Sequence, residues 1–130
     1  MENQKKRILL IDDEPSIIKM IAKRLEVEGF EVMTAMDGEE GFQKAQSEKP
    51  DLVIVDLMLP KLNGYEVCSL LKKNIQYQKI PIIMFSARTQ DRDETLGFEC
   101  GADAYIRKPV DPKDLIEKVR TLIDRSSAAV

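Results

Sequence analysis

The chain alternates short apolar runs with segments of helical periodicity, five times over. The apolar runs are Ile8 to Ile11, Phe30 to Ala35, Leu52 to Val55, Ile82 to Phe85 and Ala104 to Ile106. Short, continuously apolar runs are typical of strands that are buried on both faces, as in parallel sheets. Strands that alternate with helices pair in parallel through right-handed crossovers, so helices cover both faces. The pattern predicts an α/β fold with five strands and five helices.

The segments between and after these runs carry the usual signals of helix starts and ends. The expected helices run from Pro15 to a stop at Gly29, from a cap at Asp37 to about Lys49, from Gly64 to Lys73, from about Gln90 to Glu99, and from a cap at Asp111 with Pro112 in the first turn. The fourth helix is polar, and its few apolar anchors are Leu96, Phe98 and Cys100. We expect it to be lightly held.

Composition limits the chain to one domain and excludes several classes of partner. A chain of 130 residues with 43% hydrophobic residues can bury one core. We expect a domain over residues 1–125, and a frayed tail or the start of a linker over residues 126–130. The net charge of -3 provides no field that attracts nucleic acid or an acidic membrane, and no run is long enough to cross a bilayer. We therefore expect a cytoplasmic protein that binds neither nucleic acid nor a membrane directly.

The cysteine and histidine content argues against a disulfide-stabilised fold and against histidine-dependent catalysis. Two scattered cysteines, Cys68 and Cys100, do not form a disulfide framework, and we expect both to be small buried apolar side chains. The chain has no histidine, so it lacks the commonest general base and cannot itself donate a phosphoryl group from a phosphohistidine.

Polar side chains follow four of the five apolar runs. They are Asp12 with Asp13, Asp56, Ser86 and Lys108. Because the carboxyl ends of parallel strands meet at one edge of a sheet, these side chains are expected to share a single crevice. Three carboxylates, a hydroxyl and an ammonium suit a divalent metal held by oxygens, with a phosphoryl group beside it.

Each of these residues has a plainer explanation when taken alone. Asp12 and Asp13 could cap the first helix, and Ser86 could cap the fourth. Lys108-Pro109 could be a simple turn, Tyr105 a half-buried ring on an end strand, and Gly64 a turn residue whose backbone conformation other residues adopt poorly. Asp56 is the hardest to explain in this way, because a carboxylate at the end of a buried strand is costly unless a cation pairs with it.

The combination of motifs resembles the receiver domain of bacterial two-component response regulators over nearly the whole chain. The matching pieces are Leu9 to Glu14, Asp56 to Pro60 leading to Asn63-Gly64, Ser86-Ala87, Gly101 to Tyr105 and Lys108-Pro109. The resemblance implies a single doubly wound parallel sheet of the CheY-like, flavodoxin-like type, with strand order 2-1-3-4-5. Strands one and three then flank the topological switch point.

The resemblance also implies roles for individual residues. Asp56 would be the phosphoacceptor, and Mg²⁺, for which Mn²⁺ could substitute, would be bound by Asp13, Asp56, the backbone carbonyl of Met58 and, at least through water, Asp12. Lys108 and Ser86 would contact the phosphoryl oxygens, and the Lys108-Pro109 peptide would be cis. Without metal, the neighbouring carboxylates should have raised pKa values.

The family switch would couple Ser86 moving toward the phosphoryl group with Tyr105 turning inward, which changes the surface of the fourth helix, fifth strand and fifth helix. Met58 and Arg88 lie two places after Asp56 and Ser86, where side chains can cover or open the approach of water. Our hypothesis is that these two residues help to set the lifetime of the phosphoryl group.

The implied function is a non-enzymatic signalling module that assists its own phosphorylation and dephosphorylation. The donor would be a sensor histidine kinase or a histidine phosphotransfer protein, and the reader a downstream protein or output domain. Regulators that dimerise through the fourth and fifth helices often have arginine, a second acid and an aromatic residue where this chain has Glu94, Ala104 and Val110. We therefore do not expect this chain to form the charged dimer interface of those regulators. The sequence leaves open whether the protein is a monomer or a phosphorylation-dependent dimer.

Two other functions are compatible with this fold class. An aspartyl-phosphate phosphohydrolase acting on external substrates commonly has a second acid two residues after its nucleophile, where Met58 stands, and it needs room for a substrate cap. A flavin or nucleotide binder would have a glycine-rich or hydroxyl-rich loop after the first strand, where this chain has Asp-Asp-Glu-Pro. The receiver interpretation is favoured over both.

Overall fold

The computed structural model describes residues 5–87 and 90–128, with side chains up to residue 126. The strands are β1 (Arg7–Ile11), β2 (Glu31–Ala35), β3 (Leu52–Val55), β4 (Ile82–Ser86) and β5 (Ala104–Arg107). The helices are α1 (Pro15–Val27), α2 (Gly38–Glu48), α3 (Gly64–Lys72), α4 (Asp91–Glu99) and α5 (Pro112–Ala128). The predicted order of elements is confirmed, and most bounds lie within one residue of those expected.

The five strands form one parallel sheet in the order β2-β1-β3-β4-β5, as expected from the resemblance. The register pairs Ile11 of β1 with Val55 of β3. The next residue of each strand, Asp12 and Asp56, is therefore level with the other across the switch point. The backbone N–H of Asp56 donates to the carbonyl of Ile11 at 2.9 Å, which extends the pairing to the residue that carries the carboxylate.

The core consists of two apolar layers, one on each face of the sheet. Alternate residues of the central strands face opposite layers, so these strands are apolar throughout. One layer is covered by α1 and α5 and includes Ile8, Leu10, Ile21, Leu25, Leu115 and Val119, and the other includes Leu9, Ile11, Ala45, Val67 and Leu71 from β1, α2 and α3. Each large aliphatic side chain buried in this way contributes about 1.5–3 kcal/mol, so the sheet is a rigid support for the loops at its carboxyl end.

Helix α4 packs differently from the expectation that its apolar residues anchor it. Leu96 and Phe98 are each 45% exposed, and the buried residues of the helix are Asp93 and Gly97. The guanidinium of Arg107 on β5 forms ion pairs with Asp91 at 3.0 Å and Glu94 at 3.2 Å. Solvent-exposed pairs of this kind contribute about 0–1 kcal/mol. The helix is lightly held because its docked face is polar and small.

The two cysteines are in contact, with Cys68 in α3 and Cys100 directly after α4. Cys68 is fully buried, and its thiol donates to the backbone carbonyl of Cys100 at 3.4 Å. Burial raises the pKa of Cys68 to about 12. Cys100 follows the last residue of α4 and is partly exposed, so the expectation of two buried side chains holds for Cys68 alone.

The start of α3 lies directly against the loop that follows β3. Asn63 and Glu66 form a reciprocal capping box at this helix end. Gly64 was expected to serve a turn that other residues adopt poorly, but it is the first residue of α3 and does not have a positive φ. Among the described glycines, a positive φ occurs at Gly29 and Gly101. A Cβ on Gly64 would lie 2.5 Å from the carbonyl oxygen of Asp56, so close approach of two backbones explains this glycine.

Helix α5 continues to Ala128, three residues into the segment expected to be a tail. The last two residues of the chain lie outside the described part, and the domain boundary near residue 125 stays a prediction. Within the described residues, no helix combines the length and the apolar character needed to span a membrane.

Replacing Gly64 by alanine should destabilise the fold by about 2–4 kcal/mol, because the added Cβ overlaps backbone atoms that cannot move aside easily. Urea denaturation followed by circular dichroism measures the loss. Ser69→Ala, more than one turn further along the same helix, is the control and should change stability by less than about 0.5 kcal/mol. Equal stability of the two variants would contradict the close approach.

Candidate functional site

The carboxyl end of the sheet holds a cleft of about 420 Å³. Its lining residues come from the ends of four strands and the loops after them, and they are Asp13, Glu14, Asp56, Met58, Ser86, Ala87 and Lys108. The side chains that follow β1, β3, β4 and β5 therefore meet in one place, as their positions in the sequence predict. Asp12 lies beside the cleft and is 1% exposed.

Three carboxylates cluster at this cleft. Asp12, Asp13 and Asp56 each offer an oxygen within 4.8 Å of the oxygens of the other two. Asp12 and Asp56 are buried, and Asp13 is exposed on the open side. Oxygen ligands, negative charge and access to solvent fit a hard divalent cation that keeps several water ligands, as Mg²⁺ does. The donor set is therefore suitable for Mg²⁺.

The amine of Lys108 neutralises part of this negative charge. Its Nζ atom donates to Asp12 Oδ2 at 2.8 Å and to Asp56 Oδ2 at 3.4 Å. The Lys108 side chain is 11% exposed, and its charge also lies 5.1 Å from the ring centre of Phe85, a favourable cation–π distance. The backbone N–H of Lys108 donates to the carbonyl of Ser86 at 2.8 Å, which fixes the residue beside the end of β4.

The same contacts explain the protonation behaviour of the site. Burial raises the pKa of Asp56, the positive charge of Lys108 opposes this rise, and the charge of Asp12 adds to it. For Lys108, burial alone would lower the pKa, but the hydrogen bond to Asp12 and the nearby negative charges raise it overall. The net result is a protonated amine between two carboxylates, one of which is harder to ionise than an ordinary aspartate.

Backbone N–H groups orient two of the carboxylates. Asp12 Oδ1 accepts from the N–H of Glu14 at 2.9 Å, and Asp56 Oδ1 accepts from the N–H of Met58 at 3.3 Å. These are local turns in which a side chain replaces a backbone acceptor. The N-cap of α1 is Glu14, without a side-chain hydrogen bond, and Asp12 bonds the N–H of this residue instead of one in the first turn. The capping explanation therefore fails for Asp12.

Ser86 and Tyr105 are linked below the cleft. Ser86 is fully buried, and a hydrogen bond joins its side chain to that of Tyr105. Burial raises the pKa of Tyr105, the hydrogen bond with Ser86 opposes the rise, and the charge of Asp93 adds to it. The residue at the N-cap of α4 is Gln90, so the alternative that Ser86 caps this helix is wrong.

Three further predictions concern the Lys108-Pro109 peptide, Met58 and Arg88. The Lys108-Pro109 peptide is cis, as expected. Met58 lines the cleft and is 54% exposed, whereas Arg88 lies outside the described residues. Sequence reasoning missed Phe85 beneath the Lys108 amine and gave no site role to Glu14, whose Oε1 lies 4.0 Å from that amine. Their positions next to Ser86 and Asp13 were the available signal.

Comparison with known proteins agrees with this geometry. Residues 8–120 match the family model of the response regulator receiver domain. The chain is 45% identical, over 126 residues, to the alkaline phosphatase synthesis transcriptional regulatory protein PhoP of Bacillus subtilis, covering 95% of this chain and 51% of that protein. It is 41% identical, over 120 residues, to the DNA-binding dual master transcriptional regulator RpaA of Synechocystis, covering 92% of this chain and 50% of that protein.

Solved structures give the same assignment. A CheY-like response regulator receiver domain protein from Methanospirillum hungatei matches with a TM-score of 0.92 and 33% identity, covering 98% of this chain and 100% of that one. The chain spans about half the length of the curated relatives it matches. It belongs to the response regulator receiver domain family of two-component signalling.

Proposed function

We propose that Asp56 accepts a phosphoryl group from a phosphohistidine on a sensor histidine kinase or histidine phosphotransfer protein. The observation that carries the proposal is the pairing of the buried Asp56 carboxylate with the Lys108 amine at 3.4 Å, at the floor of an open cleft. A carboxylate oxygen attacks phosphorus, a P–O bond forms, the P–N bond breaks, and the imidazole of the donor leaves. Catalysis in such a site is mainly positioning and charge compensation.

The residues of the cleft divide this work. Lys108 would give up one of its carboxylate partners and neutralise a phosphoryl oxygen instead. The Ser86 hydroxyl would turn from Tyr105 and donate to another phosphoryl oxygen. Asp12, Asp13, Asp56 and the backbone carbonyl of Met58 would hold Mg²⁺ or Mn²⁺. A bound metal ion would supply charge compensation between the attacking and phosphoryl oxygens. The exposed position of Met58 in place of a second acid argues against turnover of external phosphoesters.

The phosphorylated state is read, in our proposal, on the surface of α4, β5 and α5 by a partner or an output domain. The relatives PhoP of Bacillus subtilis and RpaA of Synechocystis are named as transcriptional regulators, and each is about twice as long as this chain. We propose that the receiver controls DNA binding by another part of such a protein and does not itself contact DNA. A cytoplasmic location follows from this role. Glu94 forms an ion pair with Arg107 within the chain. Both a monomer and a phosphorylation-dependent dimer stay open.

Incubation with Mg²⁺ and acetyl phosphate should add the mass of one phosphoryl group, because Lys108 and the metal ion would offset the charge repulsion between the Asp56 carboxylate and the phosphoryl group. Intact mass spectrometry measures the adduct. Asp56→Asn should lose it, whereas Asp124→Asn, which changes an exposed aspartate of α5, should keep it. Rapid multiple turnover of unrelated phosphoesters would favour a phosphohydrolase instead.

Ser86→Ala should still be phosphorylated on Asp56, but its conformational response should be weaker, because the hydroxyl that would contact the phosphoryl group is gone. Backbone chemical-shift changes in β5 and α4 on adding beryllofluoride, a phosphoryl mimic, measure the response. Thr121→Ala, which removes a hydroxyl from the exposed side of α5, is the control. A full response in Ser86→Ala would contradict the coupling.

In metal-free buffer at pH 7, Asp56→Asn should raise the unfolding midpoint by about 3–6 °C, or about 1 kcal/mol. Because the folded-state pKa of Asp56 lies above its ordinary value of 3.8, the ionised group destabilises the fold at neutral pH. The difference should shrink as the pH falls through the raised pKa toward 3.8. Glu117→Gln, an exposed acid of α5, should show no such trend.

Saturating Mg²⁺ should stabilise the wild type and have less effect on Asp56→Asn, since a metal that binds only the folded state raises its stability. Thermal scans with and without a chelator measure the shift of the unfolding midpoint caused by Mg²⁺ in the wild type and in Asp56→Asn. Destabilisation by Asp56→Asn in the chelator would contradict the charge argument.

We also propose that Met58 and Arg88, two places after Asp56 and Ser86 in the sequence, help to set the lifetime of the phosphoryl group, because bulky side chains at these places would hinder the approach of water. Replacing both by alanine should speed dephosphorylation several-fold, measured by the decay of the mass adduct after the donor is removed. Leu70→Ala, an exposed apolar residue on α3, is the control. An unchanged decay in the double variant would remove the proposal.

A further inference from the structure

Helix α4 buries a carboxylate oxygen that has no partner. Asp93 is 8% exposed, and among residues 5–87 and 90–126 its Oδ2 atom is the only fully buried side-chain oxygen or nitrogen without a hydrogen bond. Such an arrangement is costly, and native structures generally avoid it. Leu96 and Phe98 on the same helix are nearly half exposed, so the helix turns its acid inward and its apolar side chains outward.

The buried face of α4 meets the Tyr105 ring. Asp93 and Gly97 are four residues apart, so they lie on the same helix face one turn from each other. A Cβ on Gly97 would lie 3.1 Å from the ring of Tyr105, which places that ring against this face. The charge of Asp93 raises the pKa of the Tyr105 phenol, so the two groups are within electrostatic range.

The backbone of Asp93 is held by a hydrogen bond from α3. The hydroxyl of Tyr65 on α3 donates to the carbonyl oxygen of Asp93 at 3.0 Å. This bond fixes the first turn of α4 to α3 independently of the Asp93 side chain. The carboxylate is therefore presented at a defined position between α3, α4 and β5.

Tyr105 exchanges partners if Ser86 moves. The side chains of Tyr105 and Ser86 are hydrogen-bonded in this structure, and in the proposed function, on which this inference rests, Ser86 turns toward the phosphoryl group. We propose that Asp93 Oδ2 then accepts a hydrogen bond from the Tyr105 hydroxyl. Asp93 is thus a positioning residue, which joins α4 to β5 in the phosphorylated state and leaves its oxygen unpaired in the resting state.

The energetic consequence is a bias toward the phosphorylated conformation. A hydrogen bond from a phenol to a buried carboxylate is stronger than one between neutral groups. Because it forms in only one of the two states, its whole free energy shifts the equilibrium between them. The unpaired oxygen in turn destabilises the resting state. Removing the carboxylate should therefore stabilise the resting fold and weaken the response, two effects of opposite direction.

The test is a double-mutant cycle between Asp93 and Tyr105, with beryllofluoride in the presence of Mg²⁺ as the phosphoryl mimic. Asp93→Leu should raise the unfolding midpoint of the unliganded protein and lower beryllofluoride affinity about 5- to 20-fold. Tyr105→Phe should also lower the affinity, and the double variant should be no weaker than Asp93→Leu alone. Asp91→Asn, the exposed acid in the same helical turn, should stay within about twofold of the wild type.

Two further measurements separate positioning from a general structural role. Asp93→Asn keeps an acceptor oxygen of the same shape, so it should recover most of the affinity lost in Asp93→Leu. The NMR shift of the Tyr105 phenol carbon should change on adding beryllofluoride to the wild type, and change less in Asp93→Leu.

Additive losses in the cycle, or unchanged affinity in Asp93→Leu, would overturn the inference. Complete absence of beryllofluoride binding by the wild-type chain would instead refute the proposed function, and this inference with it.

Discussion

The contact of one amine with two buried carboxylates is the constraint on which the site depends. Asp12 and Asp56 are placed level by the register of β1 and β3, and two buried anions at that spacing repel each other. Lys108 comes from the end of β5, reaches past β4, and bonds both carboxylates. Its backbone N–H donates to the carbonyl of Ser86, so the same residue also fixes the end of β4 beside the cleft. The contacts between Lys108 and the two carboxylates therefore depend on the strand order of the sheet.

Periodicity predicted the fold, because strands buried on both faces and helices with one apolar stripe leave distinct patterns in the sequence. The site followed from the position of polar residues at strand ends, since a parallel sheet brings those ends together. Both inferences use only local sequence and a general rule of topology. The proposed roles of Asp56 and Lys108 come from the family resemblance, because spacing alone left them open.

Two of the failed expectations concern contacts between one element and its neighbour in the fold. Leu96 and Phe98 were expected to face inward, but the missing side chain of Gly97 lets the Tyr105 ring occupy the docked face. Gly64 was assigned a special backbone angle, whereas the real reason is the approach of the loop at Asp56. Neither contact follows from the pattern of one helix, because each depends on how that helix packs against the preceding loop or the following strand. For the same reason, nothing in the sequence marked Asp93 as a buried acid.

The unequal exposure of the two cysteines has a practical consequence for following the helix in solution. Cys68 is buried with a strongly raised pKa, while Cys100 is partly exposed directly after α4. Cys100 is therefore the more accessible of the two thiols for a maleimide dye or a nitroxide spin label, and burial raises its pKa as well. Cys100 thus offers a natural attachment point for fluorescence or electron paramagnetic resonance directly after α4.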